Sequence, residues 1–417
     1  MHDQMSLSGL TRQSKQKGTN MEMKKYKLGE IAENITDGEH GTVIDDDNGK
    51  FFLLSNKNII NGEVVITNND RKINKTTFDK LNKRTKLEVD DILLSTVGTL
   101  GKTAIIKKEP NYIVQRSVGI IKPNKEKVSP YFLKYYFDNP SFQKRLVKLS
   151  KGAVQKCLFI GDLQNLEISL PPLATQQKIA AVLSSLDKKI SLNRKINDNL
   201  EAMAKQLYDY YFVQFDFPNE QGKPYKTSGG AMVWNEKLKR EIPAGWEVKS
   251  IEDVLNKYTT TKRYNTKEYL SKGKYPIVDQ GDDYIVGFTN DDESVLKRHP
   301  AILFGDHSTK VKYIDFDFAR GADGTQILYS NNECVSQYYL YFVVKSLEIP
   351  NPGYSRHFKY LKKLPIVIPN LEISKSFAGV ACSCFGQWTK NIFQNIQLTA
   401  QRDALLPLLM NGQVSVE

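Results

Sequence analysis

"LQNLEISLPPL" runs from Leu163 to Leu173, and 198 residues later the chain reads "LKKLPIVIPNL", from Leu361 to Leu371. In both stretches an alternating apolar segment predicts a short strand, a proline closes it, and helical periodicity begins within a few residues. The echo extends past the junction. At the same offset of 198, Ala180, Val182, Asn193, Asn197, Leu200 and Leu207 meet Ala378, Val380, Asn391, Asn395, Leu398 and Leu405. Upstream, "VSPYFLKYYF" at Val128 answers "VSQYYLYFVV" at Val335, offset 207, and "LGEI" at Leu28 answers "IEDV" at Ile251, offset 223. Preserved order with a drifting offset is the mark of a duplicated domain whose surface loops have diverged. The drift places about 25 extra residues in the first half, most simply within Asn61–Lys86.

Each half opens with short strands punctuated by Gly, Asn and Asp: "DDILLSTVG", "KTAIIKK" and "SVGIIKP" early, "PAILFGD", "VKYIDFD" and "TQILYS" late. Each half closes in a long helix. From Ile179 a 4,3 spacing selects Ile179, Leu183, Leu186, Ile190, Asn193, Asn197, Leu200, Ala204, Leu207 and Tyr211. The matching seam is Phe377, Ala381, Cys384, Trp388, Asn391, Asn395, Leu398, Arg402, Leu405 and Leu409. Sustained spacing of this kind predicts a coiled coil. If the two helices run antiparallel, Asn193 faces Asn395 and Asn197 faces Asn391, so Asn193, Asn197, Asn391 and Asn395 are the residues expected to set helix register. Gly386, Arg402 on the seam and Pro407 weaken the second helix, and Pro407 is expected to end it early. A helix of some 34 residues would be roughly 50 Å long, enough to hold two domains about one duplex turn apart.

With 417 residues, 40% of them hydrophobic and 25% charged, the chain suits two globular domains, each with its own core. The net charge of +12 points to a polyanionic partner. Four cysteines and five histidines without CxxC or HxxxH pairing indicate neither a disulfide framework nor a zinc site. No apolar run has the length of a membrane span, so a cytoplasmic protein with no membrane partner is expected. "GTLGKT" at Gly98 lacks the first glycine of a phosphate loop and continues as a strand, so nucleotide binding is not expected. "CSC" at Cys382 falls within a helical pattern and reads as packing.

The doubled strand-proline-helix junction, "STVGTLGKT" at Ser95, "SKGAVQKCL" at Ser150, and above all the central segment "FVQFDFPNEQGKPYKTSGGAMVWNEKLKREIPAGWEV" at Phe212 resemble the specificity subunit of type I restriction-modification systems. The resemblance covers the chain from Met23 onward. It implies an α/β fold with two globular target-recognition domains, separated by a long antiparallel two-helix coiled coil and related by a pseudo-twofold internal repeat. Expected boundaries are a disordered extension at 1–22, target-recognition domains at 23–172 and 246–370, conserved helices at 173–212 and 371–412, a linker at 213–245 and a tail at 413–417.

The resemblance further implies a non-catalytic subunit that binds a bipartite, asymmetric site on double-stranded DNA and docks two methyltransferase subunits and, in systems that have one, a restriction subunit with motor and nuclease. No cofactor is expected in this chain; S-adenosylmethionine, ATP and Mg belong to the partners. The alternative is a stand-alone nucleic-acid-modifying enzyme such as an adenine methyltransferase, suggested by "NPGY" at Asn351, although Gly353 replaces a proline of that enzyme's loop. One departure from the family pattern is local: Gln176 and Gln177 follow the first proline motif, whereas the second copy reads "EISKS" at Glu372, which predicts weaker methyltransferase docking to the second helix.

Base edges are read from loops and strand ends, while lysines and arginines on phosphates fix position. DNA-contact candidates in the first domain are Lys57, Lys102, Gln115, Arg116, Lys151, Gln155 and Lys156. In the second they are Lys262, Arg263, Lys310, Lys312, Arg320, Arg356, His357 and Lys359.

Overall fold

The computed structural model describes residues 22–152, 156–256, 261–349 and 356–416. The expected 1–22 extension apart from Glu22, Gln155, and the "NPGY" motif therefore lie outside the described residues. The chain divides into two compact units, one of residues 1–189 with 397–417 and the other of 190–396, so the division falls inside both long helices.

In chain order the first unit contains β1 (Lys24–Lys27), α1 (Leu28–Ile31), β2 (Ala32–Asp37), β3 (Phe51–Leu54), β4 (Ile59–Ile60), β5 (Glu63–Val64), β6 (Arg71–Ile73), α2 (Lys75–Thr85), β7 (Ile92–Ser95), β8 (Thr103–Ile105), β9 (Tyr112–Val114) and β10 (Val118–Pro123). Then come α3 (Pro130–Asp138), α4 (Pro140–Leu149), α5 (Ile160–Gln164), β11 (Glu167–Leu170) and the first part of α6 (Leu173–Tyr208). An antiparallel sheet is ordered β2-β10-β7-β8, and a second sheet pairs β3 parallel with β9 and antiparallel with β6. The apolar run of β7 is buried on both faces, as a sheet covered from both sides requires.

The second unit repeats this plan. After the hairpin β12 (Met232–Asn235) and β13 (Arg240–Pro243) come β14 (Glu247–Ser250), α7 (Ile251–Val254), β15 (Arg263–Tyr264), β16 (Tyr275–Val278), β17 (Gly287–Thr289) and β18 (Val295–Leu296). These are followed by β19 (Ala301–Gly305), β20 (Val311–Ile314), β21 (Phe318–Gly321), β22 (Thr325–Leu328), α8 (Gln337–Ser346), α9 (Phe358–Leu361), β23 (Pro365–Ile368) and the first part of α10 (Leu371–Met410). The order β22-β19-β20 matches β10-β7-β8, and β16, parallel to β21 and antiparallel to β17, matches β3 with β9 and β6. The terminal strands agree residue for residue: Lys24 lies opposite Leu170, and Glu247 opposite Ile368, at the sequence offsets of 223 and 198. Ser129 and Ser336, at offset 207, cap α3 and α8 by accepting from Phe132 N and Tyr339 N. The duplication is therefore one of topology as well as of sequence.

The extra length of the first half sits in two places rather than one. The helix α2 lies within Asn61–Lys86 as expected, but α4 follows α3, and no helix takes its place after α8 among the described residues.

The long helices run antiparallel within each unit. In the second, Asn193 Nδ2 donates to Asn395 Oδ1 at 2.9 Å, and Asn391 Nδ2 to Asn197 Oδ1 at 2.8 Å. Further bonds from Asn193 to Gln394 Oε1, Asn197 to Trp388 O and Asn395 to Ile190 O give each of the four amide nitrogens in this apolar seam a partner. In the first unit Arg402 is not an intruder: its Nη1 donates to Asp187 Oδ1 at 2.9 Å, and Asp187 also accepts from Tyr135 Oη at 2.6 Å. Lys134, its side chain buried, pairs with Asp138 at 2.7 Å and lies 3.8 Å from Asp187. Pro407 does not end the second helix early; α10 continues through it to Met410, and Leu406, Leu409 and Met410 pack into the first unit's core with Ile179 and Leu183.

The seam also drifts. Beyond Ala204 the buried positions are Tyr208 and Tyr211 rather than Leu207, and on α10 Phe385 replaces Cys384 as the buried residue. An undistorted helix moves off a 3.5-residue repeat, and here its aromatic residues turn toward the unit's core. Tyr208, Phe212, Tyr339, Phe342 and Phe377 form one aromatic cluster. Residues 213–245 add to the same core: Phe217 stacks on Trp246 at 5.1 Å, and Phe215 meets it edge-on at 5.7 Å.

Candidate nucleic-acid interface

In the first unit three chain segments converge on the turn joining β7 to β8. Thr96 N donates to Ser117 O, Leu158 N to Thr96 O, and Gly98 N to Lys156 O, at 2.9, 2.9 and 3.3 Å. Asn56, two residues past β3, anchors the same turn, its Nδ2 donating to Val97 O at 2.6 Å. The "GTLGKT" segment is thus a hairpin between two strands, with Ser95 Oγ accepting from Lys102 N at 2.8 Å.

The second unit is wired alike around the turn between β19 and β20. Asp306 N donates to Gly324 O at 2.7 Å and His357 N to Asp306 O at 2.8 Å. Gln280, two residues past β16, takes the role of Asn56. Its Nε2 donates to Asp323 O at 2.7 Å, and its Oε1 accepts from His307 N and Ser308 N at 3.1 and 3.2 Å. Gly324 makes this approach possible: its φ is +77°, and a Cβ there would meet His307 Cδ2 at 2.6 Å and Gln280 Nε2 at 2.8 Å. Asn56 and Gln280, which organise these turns by hydrogen bonding, were not among the candidates. Their common signal is the position two residues after matched strands.

On the first unit's edge stand Lys102, Arg116, Lys151 and Lys156, all exposed, and Gln115, which is half-buried. Lys57 is exposed and pairs with Asp70 at 3.2 Å. Burial alone would raise the Asp70 carboxyl, yet hydrogen bonds from Asn58, Thr67 and Lys57 bring it down to about 2, so Lys57 has a fixed countercharge. Lys151 is partly occupied by Asp162 at 2.8 Å and by the Phe159 ring.

On the second unit's edge Arg263 and Arg356 flank Asp323, at 2.5 and 3.8 Å. The backbone N–H of Gly324, then Arg263, Arg356 and His307, hold the Asp323 carboxyl below its usual range against a small opposing desolvation. Lys310 pairs with Asp282, Lys262 lies over the Tyr264 ring and near Glu268 and Asp291, and Lys359 lies over Tyr360.

Three candidates face inward instead. Arg320 is 1% exposed, in the middle of a sheet where β15 and β16 cover both edges of β21, and donates to Thr261 O at 2.5 Å. Lys312 is buried with its Nζ on Asp283 O, and that burial brings its ammonium down to about 8. His357 is buried where α9 begins against the Asp306 turn. In this conformation none of the three presents its side chain to a groove.

Gln176 also proves to be an interior residue. It is 1% exposed; its Oε1 accepts from Ser129 N at 3.0 Å and its Nε2 donates to Pro171 O at 2.9 Å, tying α6 to the start of α3. At the matching place Ser374 is equally buried, and its Oγ finds no hydrogen-bond partner. At Ser374 the departure at "EISKS" therefore alters packing inside a unit.

Among the described residues no cluster of His, Cys, Asp or Glu is arranged to hold a metal, and no helix is long and apolar enough to cross a membrane. The model of the type I restriction modification DNA specificity domain matches residues 20–202 and 243–379. The MjaIX specificity subunit of a type I restriction enzyme from Methanocaldococcus jannaschii is 27% identical over 400 residues, covering 88% of each chain. The EcoBI specificity subunit from Escherichia coli is 30% identical over 194 residues, covering 44% of this chain and 40% of its own. The crystal structure of a type I system S subunit from M. genitalium shares the fold, with a TM-score of 0.53 at 16% identity, over 94% of this chain and 96% of that one. These matches give no support to a stand-alone methyltransferase. The chain belongs to the family of type I restriction-modification DNA specificity subunits, which recognise DNA sequence and leave catalysis to other subunits.

Proposed function

We propose that the chain reads a bipartite, asymmetric DNA site, each unit addressing one half through its three-segment edge. Two methyltransferase subunits dock on the paired helices, and a motor and nuclease subunit joins in systems that possess one. The methyltransferases then supply S-adenosylmethionine chemistry, and ATP and Mg serve the motor. The observation that carries this reading is the repetition of one wiring in both units, with a hairpin turn, a second turn and a loop meeting under a side-chain amide. Exposed cations on the two edges differ in identity and spacing, as readers of two different sequences require.

On the first edge the contact set is Lys57, Lys102, Gln115, Arg116, Lys151 and Lys156, and on the second Lys262, Arg263, Lys310, Arg356 and Lys359. The domain boundaries expected from the sequence serve as the segments to exchange or mutate. The test is a pair of substitutions, Arg116→Ala and Arg356→Ala, scored by methylation of variant sites. Loss of a bidentate contact to a base costs about 1 to 3 kcal/mol, and each change relaxes one position in one half-site only. Relaxation of both halves by either change, or of neither by both, contradicts the assignment.

A further inference from the structure

The matched turns of the two units carry opposite charges. The turn after β9 presents Arg116 and the turn after β21 presents Asp323, and the correspondence is fixed by Thr96 N donating to Ser117 O and Asp306 N to Gly324 O. A carboxylate is an unexpected occupant of an edge meant to approach phosphates. Asp323 is also well held: Gln280 Nε2 fastens its carbonyl, Gly324 supplies the left-handed turn beside it, and Arg263 and Arg356 approach its two oxygens. Both the carboxylate and the arginines are mostly exposed or half-exposed, so the pairs are weak and dissolve readily when DNA competes for the guanidiniums.

We propose that Asp323 is a specificity-determining residue of the second unit, accepting from the N4 amine of a cytosine in the major groove once Arg263 and Arg356 have moved onto the DNA. The proposal rests on the reading of this edge as a DNA-contacting surface. Where the base at that position presents no major-groove amine, the freed carboxylate faces the phosphates and base acceptors with no donor, and repels them. On the correct base the amine satisfies it. Specificity then comes as much from the penalty on wrong sequences as from the contact with the right one. The first unit, with Arg116 at the matched turn, suits guanine O6 and N7 instead, so one scaffold reads different bases by exchanging one charge.

The experiment uses the full chain assembled with its methyltransferase. Binding is measured across a salt series to a duplex carrying the methylated motif and to a random-sequence duplex of equal length. With Asp323→Asn, affinity for the random duplex rises about threefold or more, and the ratio of target to random affinity falls at least about fivefold. The double variant Arg263→Ala with Arg356→Ala weakens binding to both duplexes and, through the phosphate contact of Arg263, lowers the slope of log affinity against log salt by about 1. An unchanged target-to-random ratio for Asp323→Asn, with the arginine variant weakened as described, overturns the role of Asp323 and leaves the edge intact. An arginine variant that binds both duplexes like the parent removes the edge from the DNA surface, and the Asp323 proposal with it.

Discussion

At the scale of single residues, the two copies differ most clearly at Gln176 and Ser374. Removing the Gln176 amide leaves Ser129 N at the start of α3 without its acceptor, and an orphaned buried N–H costs about 1 to 3 kcal/mol. Ser374 Oγ has no bond to lose. Gln176→Ala should therefore destabilise the full chain by that amount, while Ser374→Ala leaves stability unchanged or slightly raised, as read by chemical denaturation. Equal losses at the two positions would mean that the amide is not the link between α3 and α6. Neither residue betrays its burial in the sequence, because a polar side chain near a helix start looks the same whether it faces solvent or ties down a neighbouring cap. Arg320 defeated the same kind of reading. Its strand is central because β15 and β18 pair along one edge and β16 along the other, and Arg263, its neighbour in β15, lies more than fifty residues earlier.

Among the elements, α6 and α10 carry two polar devices of different chemistry. Asp187 lies between Arg402, Tyr135 and Lys134. Its burial pushes the carboxyl up, but these donors and charges outweigh it and leave the net value below the ordinary 3.8. A carboxyl held low in the folded state stabilises the fold at every pH above its unfolded value, and that contribution fades as pH falls through the folded one. Asp187→Asn should thus cost about 1 to 3 kcal/mol at neutral pH, less than a fully enclosed pair because the carboxylate keeps some exposure to water. The gap between variant and parent should close below about pH 4; a gap that stays constant down to pH 2 would mean that the ionic state of Asp187 is immaterial.

The asparagines make the second device. Changing only Asn193 and Asn197 to Leu strands the partner amides of Asn391 and Asn395 and destabilises the pair by about 1 to 3 kcal/mol for each amide left buried. Changing all four to Leu restores or raises thermal stability but removes what specifies register, and the spacing between half-sites should then become heterogeneous. A single unaltered spacing in the four-fold variant would remove the asparagines from that role.

The centre of this helix pairing was legible because two amides at matched places in each apolar seam can meet each other across an antiparallel pair. Its ends were not, since there the partner is the aromatic core of a unit rather than the opposite helix, and the repeat gives way from Leu207 to Tyr208. Strands were legible where they are short, apolar and bounded by turns, as in β7 and β19. The charged loops of the proposed edges were legible through Lys102, Arg116 and Arg356, but Asn56 and Gln280, which organise them, act by hydrogen bonding and leave no charge pattern.

For the molecule as a whole, a net charge of +12 favours affinity for any duplex, and on the proposed reading the repeated edges supply the choice among sequences. Two readers that share a topology but differ in side chains call for a site of two unlike halves, and one covalent chain joining them calls for a constant gap. Mapping every methylated adenine in cells that express this chain with its methyltransferase tests that claim most directly. The account predicts a single motif of two different half-sites separated by a fixed run of unspecified bases; a continuous motif, or two identical halves, would contradict it.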